Sequence, residues 1–97
     1  MLRPRRNGIF KREYALAEKR GKDMSKIIGV MELLINEQPS DFSPPPPERK
    51  DHPLKGTYKD SRECHIQGDW VLVYEIIPAQ GVIAFQRTGT HSDLFKK

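Results

Sequence analysis

All three histidines of this 97-residue chain lie in its second half, at His52, His65 and His91. Histidine titrates near neutral pH, so it can take a proton from one group and give it to another. RNA is cleaved without a metal when a base deprotonates a 2′-hydroxyl, which attacks the adjacent phosphate, and an acid protonates the departing 5′-oxygen. The residue types slightly favour such a site over a set of structural histidines.

Arginine and aromatic side chains supply the other functions that this chemistry needs. The guanidinium fork matches phosphate oxygens, which makes Arg62 and Arg87 candidates for binding the scissile phosphate. Trp70 and Phe95 are candidates for stacking on an exposed base. Trp70 also opens an apolar strand, a position that is typical of the core.

A metal site is the alternative use of the histidines, with His52, His65 and His91 joined by Asp69 as ligands. No closely spaced pair such as His-x-x-x-His supports this alternative, so we predict neither a metal nor another cofactor. The single cysteine, Cys64, has no partner for an internal disulfide. We expect it to be a buried strand residue and not a catalytic thiol.

Basic residues are concentrated near the N-terminus of a chain whose formal charge is +4. Up to position 26 there are three acidic residues and nine basic ones: Arg3, Arg5, Arg6, Lys11, Arg12, Lys19, Arg20, Lys22 and Lys26. Such a surface attracts nucleic acid, although a solvated helix face explains it equally well. With neither a secretory signal nor a membrane-spanning run in the sequence, we expect a cytoplasmic protein without membrane contact.

Two helices are predicted in the first half. Phe10, Tyr14 and Ala17 recur at helical spacing, which predicts a helix over residues 9–20. Asp23 is expected to cap a second helix after a tight connection, so that the two form an antiparallel hairpin. The apolar stripe of this second helix comprises Met24, Ile27, Ile28, Met31, Leu34 and Ile35.

The second half has the alternation and turn residues of strands. Strands are predicted over residues 62–66, 70–77 and 82–88, and residues 5–9 form either an edge strand or an arm. The polyproline run Pro44–Pro47 is interpreted as a spacer between helix and sheet. We therefore expect a single α+β domain over residues 1–97, with a helical hairpin packed on a small antiparallel sheet in two layers.

The end of the third strand determines how His91 is presented. Phe85 and Arg87 are expected on the same strand face, and Gly89 is expected to break the strand. Residues 92–95 are predicted to form a terminal turn or short helix. His91 then follows a strand end, where side chains are often presented to a ligand.

Four sequence blocks together carry a resemblance to a known family: Lys50–Gly56, Arg62–Ile66, Asp69–Tyr74 and Arg87–Phe95. In this order and spacing they resemble the YafQ branch of the RelE/ParE toxin superfamily, over residues 10–95. The resemblance implies the RelE-like α+β fold and the toxin of a bacterial type II toxin–antitoxin system. Such a toxin is an mRNA interferase that cleaves mRNA on the ribosome and is neutralised by a cognate antitoxin. It contacts operator DNA only within the toxin–antitoxin complex.

The resemblance also assigns residues to the nuclease site. The His91 position is the usual proton donor, and His65 and Asp69 are candidates for the base or for orienting a partner. Arg87 is suited to the scissile phosphate. The complete predicted set comprises His91, His65, Asp69, His52 and Arg87 as catalytic residues and Trp70, Phe95 and Arg62 as substrate-binding residues.

One departure and one rival function accompany the resemblance. Gly68 stands where many relatives have proline before the Asp-Trp pair, which is expected to loosen that turn. The rival is a non-catalytic module of the same superfamily that binds nucleic acid or the ribosome. A pure binder has no need of three histidines in its site, which favours the enzyme.

Overall fold

The computed structural model describes residues 2–36, 52–53 and 61–94. Within these ranges the chain forms, in order, β1 (Arg3–Arg6), α1 (Gly8–Lys19), α2 (Met24–Asn36), β2 (His52–Pro53), β3 (Arg62–Gln67), β4 (Trp70–Ile77), β5 (Val82–Thr90) and α3 (His91–Leu94). A 3-10 turn, Pro78–Gln80, joins β4 to β5. In this part of the chain no helix is long and apolar enough to cross a membrane.

The sheet is mixed, with the strand order β1-β5-β4-β3-β2. Strands β2 to β5 pair antiparallel with their neighbours, as predicted for a meander. β1 forms one edge and pairs with β5 in parallel, with Arg3 opposite Val82. A parallel pair needs a long crossover, and here the connection contains both longer helices. The predicted α+β fold is confirmed, but the sheet is not antiparallel at this edge.

Both longer helices begin at a side-chain cap. The Asn7 carboxamide oxygen accepts the Phe10 N–H at 2.7 Å, and the Asp23 carboxylate accepts the Ser25 N–H at 3.1 Å. These contacts satisfy N–H groups that have no partner within the helix. Gly21, with φ of 84°, turns the chain between the helices. The helix predicted over residues 9–20 lies one position earlier, at Gly8–Lys19, and the cap at Asp23 is confirmed. The edge strand or arm predicted over residues 5–9 is a strand at Arg3–Arg6, and α1 already begins at Gly8.

The core lies between the helices and one face of the sheet. Alternate residues of the strands point to this face, because side chains on a strand alternate between its two sides. Helix and strand residues form one buried cluster that includes Phe10, Ala17, Ile27, Val30, Met31, Leu34, Cys64, Trp70, Leu72, Tyr74, Ile83 and Phe85. The expectation that Cys64 is a buried strand residue is confirmed.

A β-bulge in β5 changes which side chains share a face. Tyr74 pairs with Phe85 and Val73 pairs with Arg87, so Gln86 is the additional residue. Phe85 therefore lies on the helix-covered face with Tyr74, and Arg87 lies on the opposite face with Val73. The expectation that Phe85 and Arg87 share a face is wrong because simple alternation does not anticipate a bulge.

Strand β5 also continues beyond its predicted end. Gly89 lies inside the strand, which runs to Thr90, and α3 begins at His91. A Cβ at Gly89 would lie 3.2 Å from the Leu94 Cδ2 atom, so glycine at this position lets α3 pack closely against the strand. The predicted short terminal helix is confirmed, but the strand break at Gly89 is wrong. Phe95 and the run Pro44–Pro47 lie outside the described residues.

Candidate active site

The site is centred on His91, the first residue of α3. Its backbone N–H donates to the Asp69 carbonyl at 3.1 Å, which holds the start of α3 against the β3–β4 turn. Its Nε2 atom lies 2.6 Å from Oε1 of Glu63. Glu63 is only 1% exposed, whereas the His91 side chain is 47% exposed. A buried carboxylate therefore orients an imidazole that substrate can reach.

His65 lies beside this pair, half-buried on β3. Its Nδ1 atom is 2.9 Å from the Gly68 carbonyl oxygen. A carbonyl only accepts, so Nδ1 carries the proton and Nε2 is the accepting nitrogen of the neutral ring. The His65 and His91 rings are 5.4 Å apart and nearly perpendicular, at 86°. The two imidazoles are thus close enough to act on one phosphodiester.

Gly68 provides the turn carbonyl that contacts the His65 ring. Its φ of 58° lies in the left-handed region, which favours glycine. The expectation that this glycine loosens the turn stays a prediction.

The sheet register places Arg87 on the face that carries Glu63 and His65. Glu63 pairs with Val73, and Val73 pairs with Arg87, so the three form one row across β3, β4 and β5. Neighbouring strands are about 4.8 Å apart, which puts the backbones of Glu63 and Arg87 about 10 Å from each other. Val73, which lies between them in the row, is fully buried.

Helix α1 supplies an acidic partner for Arg87. Glu13 accepts hydrogen bonds from two nitrogens of the guanidinium: Nη2 donates to Oε2 at 2.6 Å, and Nε donates to Oε1 at 3.0 Å and to Oε2 at 3.1 Å. The backbone N–H of Thr88 also donates to Glu13, at 3.1 Å. The Glu13 and Arg87 side chains are only 18% and 23% exposed. Arg87 is therefore held by a fork-to-fork ion pair and not left as a loose surface side chain.

The Asp-Trp pair has a positional role in this structure. Asp69 lies in the exposed turn, and its backbone carbonyl holds His91. Trp70 is 1% exposed, and its indole N–H donates to the Thr88 hydroxyl at 3.0 Å. The ring is thus a core residue in this structure, and base stacking on Trp70 stays a prediction. Its bulk packs beneath the strand that leads to His91.

Other predicted site residues are not brought to the histidines. Arg62 pairs with Tyr74 and so lies on the helix-covered face, opposite to Glu63 and His65. Its part in substrate binding stays a prediction. The backbone of His52 pairs with Glu63, which brings β2 next to the site. The His52 side chain and the whole of Phe95 lie outside the described residues.

The described residues contain a cluster with the geometry of a metal site. One ligand atom each of Glu63, His65 and His91 lies within 4.8 Å of the others. Imidazole and carboxylate are ligands that suit zinc and copper. The prediction of no metal relied on the absence of closely spaced histidines, whereas strand pairing brings His65 and His91 together from distant positions. Glu63, and not Asp69, provides the carboxylate.

Two acidic residues of this site, Glu63 and Glu13, were not among the predicted functional residues. Glu63 could have been found, since strand alternation puts it on the same face as His65. Nothing in the sequence around Glu13 indicated a functional role, because its partner Arg87 is 74 positions away.

Comparisons with known proteins agree with this architecture. Residues 2–96 match the family model described as "Bacterial toxin of type II toxin-antitoxin system, YafQ". The chain is 42% identical over 89 residues to the mRNA interferase toxin YafQ of Escherichia coli K12, covering 92% of this chain and 90% of that protein.

Two solved structures show the same fold. The Escherichia coli DinJ–YafQ complex matches with a TM-score of 0.84 and 39% identity, covering 98% of this chain and 99% of that chain. A metal-bound toxin from Helicobacter pylori matches with a TM-score of 0.85 and 37% identity, covering 98% of this chain and 100% of that chain. The likeness extends over nearly the whole chain and so includes the site.

Proposed function

This chain belongs to the YafQ family of bacterial toxins of type II toxin–antitoxin systems, and we propose that it is an endoribonuclease that cleaves mRNA on the ribosome. The Escherichia coli relative is named an mRNA interferase toxin. The observation that carries the proposal is the contact between His91 and the buried Glu63, with the His65 ring beside them. Metal-free transesterification of RNA needs a general base and a general acid, and two oriented imidazoles can supply both.

His91 is the general acid in this proposal. Glu63 holds one ring nitrogen, and the Asp69 carbonyl holds the backbone of the same residue. A half-exposed imidazole fixed in this way can give a proton to the departing 5′-oxygen. General acid–base groups typically contribute about 10²-fold to 10⁴-fold to a rate, so the loss of His91 should be readily measured.

His65 is the best-placed general base. Because its Nδ1–H donates to Gly68, its Nε2 atom has the lone pair that can accept the proton of a 2′-hydroxyl. The deprotonated oxygen attacks the adjacent phosphorus and the bond to the 5′-oxygen breaks. The products are a 2′,3′-cyclic phosphate and a 5′-hydroxyl. Arg87 stabilises the negative charge that develops on the phosphoryl oxygens.

We extend the proposal to the partners of the chain. The Escherichia coli DinJ–YafQ complex supports a cognate antitoxin for this chain, and we propose that operator DNA is contacted only within that complex. The basic residues of the first 26 positions would contact ribosomal RNA phosphates, since clustered lysine and arginine attract polyanions. With these partners, we propose that the protein acts in the bacterial cytoplasm.

Cleavage by purified protein tests the proposed function. The protein is added to ribosomes translating a defined mRNA, and new 5′-ends are detected by primer extension. Wild-type protein should cut the message, and His91→Ala should cut at least about 100-fold more slowly. Thermal unfolding of the variant is the control, because replacing this half-exposed side chain should leave the fold intact.

Two outcomes would contradict the proposal. Equal cleavage by a folded His91→Ala variant would remove His91 from the chemistry. Wild-type protein that binds the ribosome without cutting the message would support the non-catalytic binding module instead.

A metal-dependent nuclease is the second candidate, and the cluster of Glu63, His65 and His91 favours it. A metal held by these residues would act as a Lewis acid toward phosphate. The Helicobacter pylori structure shows that a toxin of this fold can be metal-bound. Titration with zinc, with His65→Ala as the comparison, measures binding, and cleavage after chelation measures the need for metal. We expect cleavage to survive chelation; activity lost with chelator and restored by zinc would establish the second candidate.

A further inference from the structure

We propose that Glu13 on helix α1 is a positioning residue of the nuclease, which fixes the Arg87 guanidinium for the phosphate. The inference rests on the proposed function, because it assigns Glu13 a part in that reaction. Sequence motifs in the second half of the chain do not include Glu13, and the two residues meet only through the fold.

The geometry of the ion pair defines what Glu13 does. The carboxylate accepts from Nε and Nη2, so it occupies one edge of the planar guanidinium. The Nη1 side is then directed away from Glu13. An isolated arginine has several rotatable bonds, and fixing it before substrate binds removes an entropic cost from the reaction. Glu13 therefore selects one orientation of Arg87.

A further hydrogen bond joins Glu13 to the backbone of β5. Thr88 N–H donates to the same carboxylate oxygen that accepts from Arg87 Nε. β1 pairs with β5 only as far as Phe85, so this N–H lies beyond that pairing. The Glu13 carboxylate thus accepts the Thr88 N–H at a place where β1 no longer pairs with β5, and at the same time binds the Arg87 side chain. One carboxylate therefore fixes both the β5 backbone and the arginine.

The residue that caps the C-terminus of α1 makes a second contact with the C-terminal part of the site. Arg20, one position beyond the helix, pairs with Asp93 at 3.2 Å, and both side chains are about half exposed. The helix and its cap therefore contact β5 through Glu13 and α3 through Arg20. This arrangement links the arginine and the His91 segment to a common support.

Glu13→Gln is the variant that tests the inference. The amide keeps an oxygen for the Thr88 N–H but loses the charge and the two-oxygen fork. We expect kcat for mRNA cleavage on ribosomes to fall by about tenfold to 100-fold, since small misplacements of catalytic groups have effects of this size. KM should change by less than about threefold, because the loss is confined to the transition state. Glu18→Gln, an exposed change on the same helix, is the matched control and should behave as wild type.

A double variant separates positioning from a structural role. Arg87→Lys keeps a positive charge but cannot form the fork. If Glu13 acts through Arg87, adding Glu13→Gln to Arg87→Lys should cause no further loss of kcat. A purely structural role predicts instead that the two losses multiply, which would overturn the inference.

The order of the Arg87 side chain is a readout that does not depend on activity. Its Nε–H resonance should have a high heteronuclear NOE in wild type and in Glu18→Gln, and a low one in Glu13→Gln. An unchanged NOE in Glu13→Gln would overturn the inference even if wild type cleaves RNA. Failure of wild type to cleave would overturn the proposed function and with it the catalytic role of Glu13, whatever the NOE shows.

Discussion

The buried carboxylate of Glu63 contacts and orients the ring of His91. Glu63 is buried on β3, and its contact with His91 crosses 28 positions of sequence. The histidines could be identified as candidates from their residue type alone. The choice of Glu63 as partner required the strand register and the position of α3, neither of which is a local property of the sequence.

At this residue we predict that Glu63→Gln lowers kcat by about 10-fold to 100-fold, because the amide keeps the shape but loses the charged acceptor. The measurement is cleavage of mRNA by purified protein, with the 15N shifts of His91 reporting its ring. Glu32→Gln, an exposed change on α2, is the control. Wild-type kcat together with unchanged His91 shifts would contradict the role of Glu63.

The ends of the strands and of α3 determine where the side chains of the site lie. Strand β5 contains Arg87 and ends at Thr90, and His91 at the start of α3 contacts Glu63. Helix and strand spans followed from periodicity, which is local. The bulge at Gln86 and the parallel edge strand β1 could not be predicted, because both depend on pairing between distant segments.

Gly89 is the position at which the approach of α3 can be tested. Gly89→Ala would place a Cβ 3.2 Å from Leu94 Cδ2, so the side chain of Leu94 or the whole of α3 must shift. We expect a loss of cleavage of about tenfold or more through displacement of His91. The unfolding free energy should fall by no more than about 1 kcal/mol, since a flexible side-chain tip can yield. Gly29→Ala on α2, where a Cβ meets nothing within 4 Å, is the control.

If Gly89→Ala cleaves mRNA at the wild-type rate, close packing of α3 is not needed for the position of His91. A variant that fails to fold would show that Gly89 supports the sheet and not only α3. Thermal unfolding distinguishes this case from a local effect on the site.

Asp93 makes the order of α3 dependent on pH. Hydrogen bonds from the Thr90 hydroxyl and N–H, with a smaller effect of Arg20, hold the pKa of Asp93 below its ordinary value of 3.8. Because the folded-state pKa is depressed, this contribution to stability is present above the unfolded pKa. It is lost as pH falls through the folded pKa. α3 should therefore be ordered at neutral pH and fray in acid below about pH 4.

The Thr90 amide shift, followed by NMR as a function of pH, checks this prediction. A transition with its midpoint below 3.8 is expected in wild type and should be absent in Asp93→Asn. A midpoint at or above 3.8 would contradict the described contacts of Asp93.

In the whole molecule, the hydrophobic core and the proposed catalytic histidines lie on opposite faces of the sheet. One face of the sheet is covered by α1 and α2 and contains the core, including Trp70 and Cys64. The other face carries Glu63 and His65, with α3 at its end. The register assigns Arg87 to this face as well, but its guanidinium is bound by Glu13 of α1. Sequence patterns and a family resemblance predicted a sheet with helices on one side and the site on the other. They also placed Trp70 and Arg62 with the substrate, which stays a prediction; the burial of Trp70 and the register of Arg62 could not be read from a motif.

The end chemistry of the RNA fragments tests the central claim most directly. Fragments are isolated from translating ribosomes after treatment with wild-type protein or with His91→Gln, and their termini are mapped by selective ligation. Metal-free transesterification by His65 and His91 predicts 2′,3′-cyclic phosphate and 5′-hydroxyl ends that appear with chelator present. These ends should be absent with His91→Gln. Fragments that instead carry 5′-phosphate and 3′-hydroxyl ends, or cyclic phosphates formed equally well by the variant, would contradict the account.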